Sequence, residues 1–206
     1  LLIIYIGKKI RILITLTFIL VVGILLLNNA DWILKTIYPI HYQELIDKYS
    51  DMYDVDPYLV AAIIRNESRF NPDAISRKEA RGLMQIAPIT GEWASEKLGI
   101  ENYSEEMLFE PELNIRIGCW YLNILYGEFG DNLQLIIAAY NAGNGNVSRW
   151  LDNPEYSSDG KDLDVIPFGE TRIYLQRVNR DYTRYRVIYQ EGVRGFLSYL
   201  RQYTLF

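Results

Sequence analysis

Glu67 is the side chain in this sequence whose placement points most directly to chemistry. In the segment that opens at Pro57, Val60, Ile63 and Ile64 mark the apolar face of a helix, and Glu67 continues that face at i+7, i+4 and i+3. A carboxylate on a core-facing stripe loses hydration, which penalises its charged form. A glutamic acid kept neutral near pH 7 can donate a proton, as a general acid must. Periodicity alone leaves a plainer alternative open: a glutamate at a helix end that reaches water, or pairs with Arg65 or Arg69. Other chemistries are poorly supplied. One histidine, His41, and one cysteine, Cys119, argue against a histidine metal site, a Ser-His-Asp triad and an intramolecular disulfide. Neither a P-loop nor a Gly-x-Gly-x-x-Gly turn is present, and no metal or organic cofactor is indicated. With 21 Lys+Arg against 26 Asp+Glu, nothing supplies a phosphate-neutralising stripe, so nucleic acid is not an expected partner.

Three later segments add weight to that carboxylate. Glu67-Ser68 is followed fourteen residues on by Arg81-Gly82-Leu83-Met84-Gln85-Ile86-Ala87-Pro88. Then come Ala138-Ala139-Tyr140-Asn141-Ala142-Gly143 and Ile166-Pro167-Phe168-Gly169-Glu170-Thr171-Arg172-Ile173-Tyr174. In this order the four resemble the signature elements of the soluble lytic transglycosylase (SLT) domain, whose fold is like goose-type lysozyme. Phe109-Glu110-Pro111-Glu112-Leu113-Asn114-Ile115 through Gly118 and Tyr121-Leu122 also looks like that family. The resemblance covers roughly residues 42–190.

It implies cleavage of the β-1,4 bond between N-acetylmuramic acid and N-acetylglucosamine in peptidoglycan, leaving a 1,6-anhydromuramic end. One catalytic carboxylate suffices. Protonated Glu67 would give its proton to the glycosidic oxygen, the substrate's own 2-acetamido group would support the oxocarbenium-like centre, and ionised Glu67 would then take the proton of the C6 hydroxyl that attacks C1. The resemblance places further residues at the substrate. Ser76 corresponds to a serine near the acetamido group, with a turn serine as the alternative. Met84 and Gln85 look like cleft-wall residues, with core filling the alternative for Met84. Tyr140 resembles the tyrosine whose hydroxyl reaches toward the glutamate or the acetamido group. Asn141 fits a helix-end role better than sugar contact. Glu170 is a family-matched carboxylate that binds saccharide or orients Tyr140, or simply sits in a first helical turn favoured by the dipole. Tyr174 is expected to line the cleft. Arg81 departs from the small residue common before Gly-Leu-Met-Gln, and is read as a positive group near the muramic lactyl or a stem-peptide carboxylate.

The elements that must hold these residues read as helices, and the fold class is all-α, lysozyme-like. A short helix is expected around Glu44–Tyr49. Asp56 caps and Pro57 opens the helix that carries Glu67. Pro88 precedes a helix over about 90–97, and Pro111 opens a long one with Ile115, Cys119, Leu122, Tyr126 and Phe129 on its buried face. Asp131 is read as the cap of a helix through Tyr140, Asn146 as the cap of the next, and 152–164 as a polar loop. The last long helix starts near Gly169, with Tyr174, Val178, Tyr182 and Tyr185 on one face.

Residues 1–30 differ in kind. They carry Lys8, Lys9 and Arg11 and no acid, while the remaining 176 residues hold 18 bases against 26 acids. From Ile12 to Leu27 there is no charge, and sixteen helical residues span about 24 Å, with Arg11 able to snorkel to the edge of a ~30 Å hydrocarbon core. The expectation is a single-pass membrane anchor over 1–30, its N-terminus cytoplasmic by the positive-inside rule, then a stalk over 31–41, the catalytic domain over 42–190 on the wall side and an extension over 191–206. Phe196, Leu197 and Leu200 suit a short helix docked on the domain, or an apolar tail near the membrane. A cleaved signal peptide and a secreted product are the alternative, although Asn28 occupies a site where cleavage favours a small residue. The expected partners are peptidoglycan strands and the membrane, and the chain is expected to be a monomer. A muramidase on the same fold and a catalytically silent wall-binding protein are the competing functions.

Overall fold

A computed structural model describes residues 2–203. Two compact units divide the chain, one formed by residues up to 39 with those from 187 on, the other by 40–186. Among the described residues every regular element is helical, and only isolated bridges of Arg81 with Ile75 and Ile86 have β geometry.

The first unit begins with α1 (Leu2–Asn28) and α2 (Ala30–Ile37). Within α1, Gly7–Leu26 is long and apolar enough to cross a membrane, and none of its residues is buried in the protein.

The second unit contains α3 (Gln43–Tyr53), α4 (Pro57–Glu67), α5 (Pro88–Leu98), α6 (Pro111–Phe129), α7 (Leu133–Ala142), α8 (Asn144–Leu151) and α9 (Gly169–Arg186). A single 3-10 turn, Glu105–Phe109, leads into α6. α4 is the central rod. Its start is set by local chemistry: the Asp56 carboxylate accepts the Tyr58 N–H at 2.8 Å and Pro57 occupies the first turn. Leu59, Val60, Ala61, Ala62, Ile63 and Ile64 are all fully buried, so α4 is covered on every side and not on one stripe. α3 and α9 pack against it, and the Tyr182 hydroxyl on α9 donates to Asp56 Oδ2 at 2.7 Å.

Three sequence expectations shift. In α6 the buried stripe turns onto Leu125, while Tyr126 and Phe129 are only half-buried. α7 is capped by Asn132, whose side chain accepts the Leu135 N–H at 3.2 Å, and not by Asp131. α8 starts directly after Gly143 (φ +87°), and Asn146 lies inside it, donating back to the Ala142 carbonyl at 2.7 Å.

In the first unit, a π-helical turn (Val187–Glu191) continues into α10 (Gly192–Tyr203). α10 packs on α2: Asp31 Oδ1 accepts the Val193 N–H at 2.7 Å, and the Tyr38 and Phe196 rings lie 6.5 Å apart. The expected extension over 191–206 is thus helical through Tyr203, and residues 204–206 lie outside the described residues.

Candidate active site

Glu67 is the last residue of α4, and the segment 81–86 is fastened across its end. The fastening starts with Ser68, whose hydroxyl donates to the Leu83 carbonyl at 2.7 Å. Asn114 does the rest from within α6. Fully buried, it accepts the Met84 N–H at 2.7 Å and donates to the carbonyls of Leu108 (2.7 Å) and Arg81 (2.9 Å). Two of those bonds satisfy backbone groups of the irregular 81–86 turn that helices and sheets cannot satisfy, and the third ties in the 3-10 turn at Leu108. The turn passes so close that a Cβ on Gly82 (φ +77°) would lie 2.2 Å from the Leu108 carbonyl oxygen and 2.3 Å from Asn114 Nδ2.

The Met84 side chain points inward. It is fully buried, and its sulfur fills the space that a Cβ on Gly118 would take. Met84 therefore does not wall the cleft as expected, because the turn that exposes Gln85 directs its neighbour into the core. Gln85 adopts a left-handed backbone (φ +50°), unusual without glycine, and its amide nitrogen donates to Gly82 (2.9 Å) and Ala74 (3.0 Å) carbonyls. Gln85 lines the cleft, and with both its N–H groups engaged its amide oxygen is what it has left to offer a ligand.

A cleft of about 1180 Å³ opens over Glu67. Of the residues predicted from sequence, Glu67, Ser76, Gln85, Tyr140, Asn141 and Glu170 line it together, while Met84 and Tyr174 do not. Ser76 is a turn serine as well as a cleft residue, since its hydroxyl oxygen accepts the N–H groups of Lys78 and Ala80, both at 3.1 Å. Tyr140 donates its hydroxyl proton to the Met84 carbonyl at 2.8 Å, so that proton is not directed at Glu67. Asn141 Oδ1 accepts the Thr171 hydroxyl at 2.8 Å, tying the end of α7 to the start of α9. Glu170 stands exposed in the first turn of α9.

Glu67 itself is partly covered, and its carboxyl is pushed up from its ordinary 4.5 to about 7. Burial is the main cause, and the negative charge of Glu170 adds to it. Its position at a helix C-terminus works in the same direction. Tyr174 opposes the rise: its buried hydroxyl faces the carboxyl, without a well-formed hydrogen bond to any described residue. The Tyr140 and Tyr174 hydroxyls are themselves raised well above the usual phenol range, first by burial and then by the charge of Glu67. No ion pair reaches Glu67 among the described residues. Arg65 is instead 3.9 Å from the buried Asp181, which also takes Arg180 and Arg184.

Arg81 is likewise committed elsewhere. Its guanidinium lies 2.9 Å from both Glu105 and Glu106, at 13% side-chain exposure, and over the Phe109 ring. The expected cationic contact with substrate is overturned, because two carboxylates of the 3-10 turn neutralise it. Sequence reasoning also left Asn114, Thr171, Tyr121, Arg77 and Lys78 without roles. A buried asparagine on an otherwise apolar helix face was the available signal for Asn114.

Residues 44–162 match the family described as the transglycosylase SLT domain. The soluble lytic murein transglycosylase of Salmonella typhimurium is 40% identical over 143 residues, covering 68% of this chain and 22% of that protein. Membrane-bound lytic murein transglycosylase C of Edwardsiella ictaluri is 33% identical over 180 residues, covering 71% of this chain and 47% of that protein. The chain thus spans less than half the length of either relative. Among solved structures, the 70 kDa soluble lytic transglycosylase of Escherichia coli superposes with a TM-score of 0.67 at 35% identity, covering 76% of this chain and 26% of that one. With the helical frame, the cleft and these likenesses together, the chain belongs to the SLT transglycosylase family.

Proposed function

We propose that the chain is a membrane-anchored peptidoglycan lytic transglycosylase in which Glu67 acts first as acid and then as base. What carries this reading is a carboxyl with a pKa of about 7 at the floor of a cleft that could hold several sugar rings. Near neutrality such a group is available in both protonation states, as a residue that must give and then take a proton requires.

In the proposed cycle protonated Glu67 donates to the oxygen between muramic C1 and the neighbouring glucosamine, and the C–O bond breaks. The 2-acetamido carbonyl of the muramic residue supports the electron-poor C1. The C6 hydroxyl then bonds to C1, and its proton returns to Glu67. Water is not consumed and no net proton is released. Tyr174 helps accommodate the carboxylate that forms mid-cycle, and Glu170 favours the proton's return. Gln85, Ser76 and Asn141 offer fixed polar groups along the cleft for acetamido and hydroxyl contacts, with Tyr140 as an aromatic surface for a sugar face. The inactive variant of the related Pseudomonas aeruginosa enzyme Slt carries a glutamate-to-glutamine change, which accords with a single essential carboxyl.

The Gly7–Leu26 segment is proposed to span the cytoplasmic membrane, N-terminus inside, with residues 40–186 acting on the wall side. Mass spectrometry of glycan fragments released by the wild-type protein tests the chemistry. Products lighter by one water than reducing-end fragments are expected, together with no cleavage by the Glu67→Gln variant. Reducing ends from the wild type establish a hydrolase instead.

A further inference from the structure

We propose that Arg77 and Lys78 form a cationic lip on the cleft that recognises carboxylates of the peptide branch on a peptide-bearing glycan strand. The inference rests on the glycan-cleaving reading above and names the form of the strand this site favours.

The cleft is lined by two acidic side chains, Glu67 and Glu170, and by two basic ones, Arg77 and Lys78. Both cations are exposed, and they are neighbours in one turn. That turn is built rather than loose. Ser76 N–H donates to the Ala80 carbonyl at 2.9 Å, Glu79 N–H donates to the Ser76 carbonyl at 3.1 Å, and the Ser76 hydroxyl oxygen accepts the Lys78 and Ala80 N–H groups. Glu79 turns the chain through a left-handed backbone (φ +62°). Arg81, just after the turn, forms isolated β-bridges with Ile75 before it and Ile86 beyond it. The backbone therefore fixes where both cations leave the turn, and only their side chains must order on binding.

The charge needs a reason. The sugar rings of the glycan are neutral, and stacking and hydrogen bonds hold them without cations. Beyond residue 30 the chain holds 18 bases against 26 acids, so two adjacent unneutralised bases at the cleft are against its general trend. Arg81, three residues on, shows the contrast: its guanidinium is consumed by Glu105 and Glu106. A carboxylate carried beside the sugar, at the height of the Ser76 turn, is the chemistry that two such cations complement. On a peptide-bearing strand the muramic lactyl group is amide-linked, so the available carboxylates belong to the peptide. On a denuded strand the lactyl carboxylate is free.

The test compares the full chain in detergent on peptide-bearing strands and on strands stripped of peptide by an amidase. For the Arg77→Gln/Lys78→Gln double variant, kcat/KM on peptide-bearing strands is expected to fall about three- to tenfold, through KM, by the usual size of exposed charge contacts. The fall on denuded strands is expected to be smaller. Raising the salt concentration should erode the wild-type preference and leave the double variant's ratio flat. The charge-conserving Arg77→Lys/Lys78→Arg variant should keep the preference. A larger fall on denuded strands assigns the lip to the free lactyl carboxylate and overturns the proposal; an equal fall on both assigns it to the glycan itself and overturns it too, as does no fall on either. A wild type that cleaves neither strand overturns the transglycosylase reading itself.

Discussion

Replacing Glu67 by glutamine should make the protein more stable at alkaline pH while leaving its stability in mild acid little changed. A carboxyl that titrates at about 7 when folded and near 4.5 when unfolded binds its proton more tightly in the folded state. Between those two values folding takes up a proton, so stability falls as pH rises, and above pH 7 the full penalty of the buried charge is present. At 1.36 kcal/mol for each pH unit of displacement the penalty approaches ~3 kcal/mol, of which about 2.5 kcal/mol develops between pH 5 and pH 8. This is an upper figure, since the carboxyl keeps an edge on the open cleft. The Glu67→Gln variant cannot ionise there and escapes the penalty. In melts of the full chain in detergent, followed by tryptophan fluorescence, the variant's Tm advantage should grow by roughly 5–10 °C from pH 5 to pH 8. The glutamine's own contacts are the same at both pH values and cancel from that comparison. A Tm difference that is independent of pH would refute the buried, proton-bearing carboxyl.

The neighbours of Glu67 should move its titration in opposite directions. Glu170→Gln removes a negative charge that disfavours ionisation, so the alkaline fall in kcat should shift to lower pH. Tyr174→Phe removes the hydroxyl that favours the carboxylate, so the same limb should shift to higher pH, with stability little changed because that hydroxyl has no well-formed partner. Asn114→Ala leaves the Met84 N–H and the Arg81 and Leu108 carbonyls without their partner, and should cost about 3 kcal/mol in denaturant unfolding along with most of the activity.

Features fixed by near neighbours in the chain were the ones legible in the sequence. The cap and proline of Asp56-Pro57 act within one turn, and the helix they start was placed to within a residue. Six of the eight residues read from the ordered motifs line one cleft. Features fixed by distant partners were not legible. Met84 was misplaced because the side its neighbour Gln85 exposes depends on bonds from Asn114, thirty residues away. Arg81 was misread because Glu105 and Glu106 reach it only through the fold. Glu67 was placed on an apolar stripe, whereas α4 has no exposed stripe and the carboxyl meets the cleft only because the helix ends there. The Tyr140 hydroxyl proton turns to the Met84 carbonyl and the Tyr174 hydroxyl faces the carboxyl, an arrangement set by the packing of α7 and α9 and not by near neighbours in the chain.

The most direct measurement is the carboxyl resonance of Glu67, followed by 13C NMR from pH 3 to pH 10 and assigned by its absence in the Glu67→Gln variant. A midpoint near 7 is the predicted result. A midpoint near 4.5, the value of a solvated glutamate, would contradict the assignment of this residue as the proton donor.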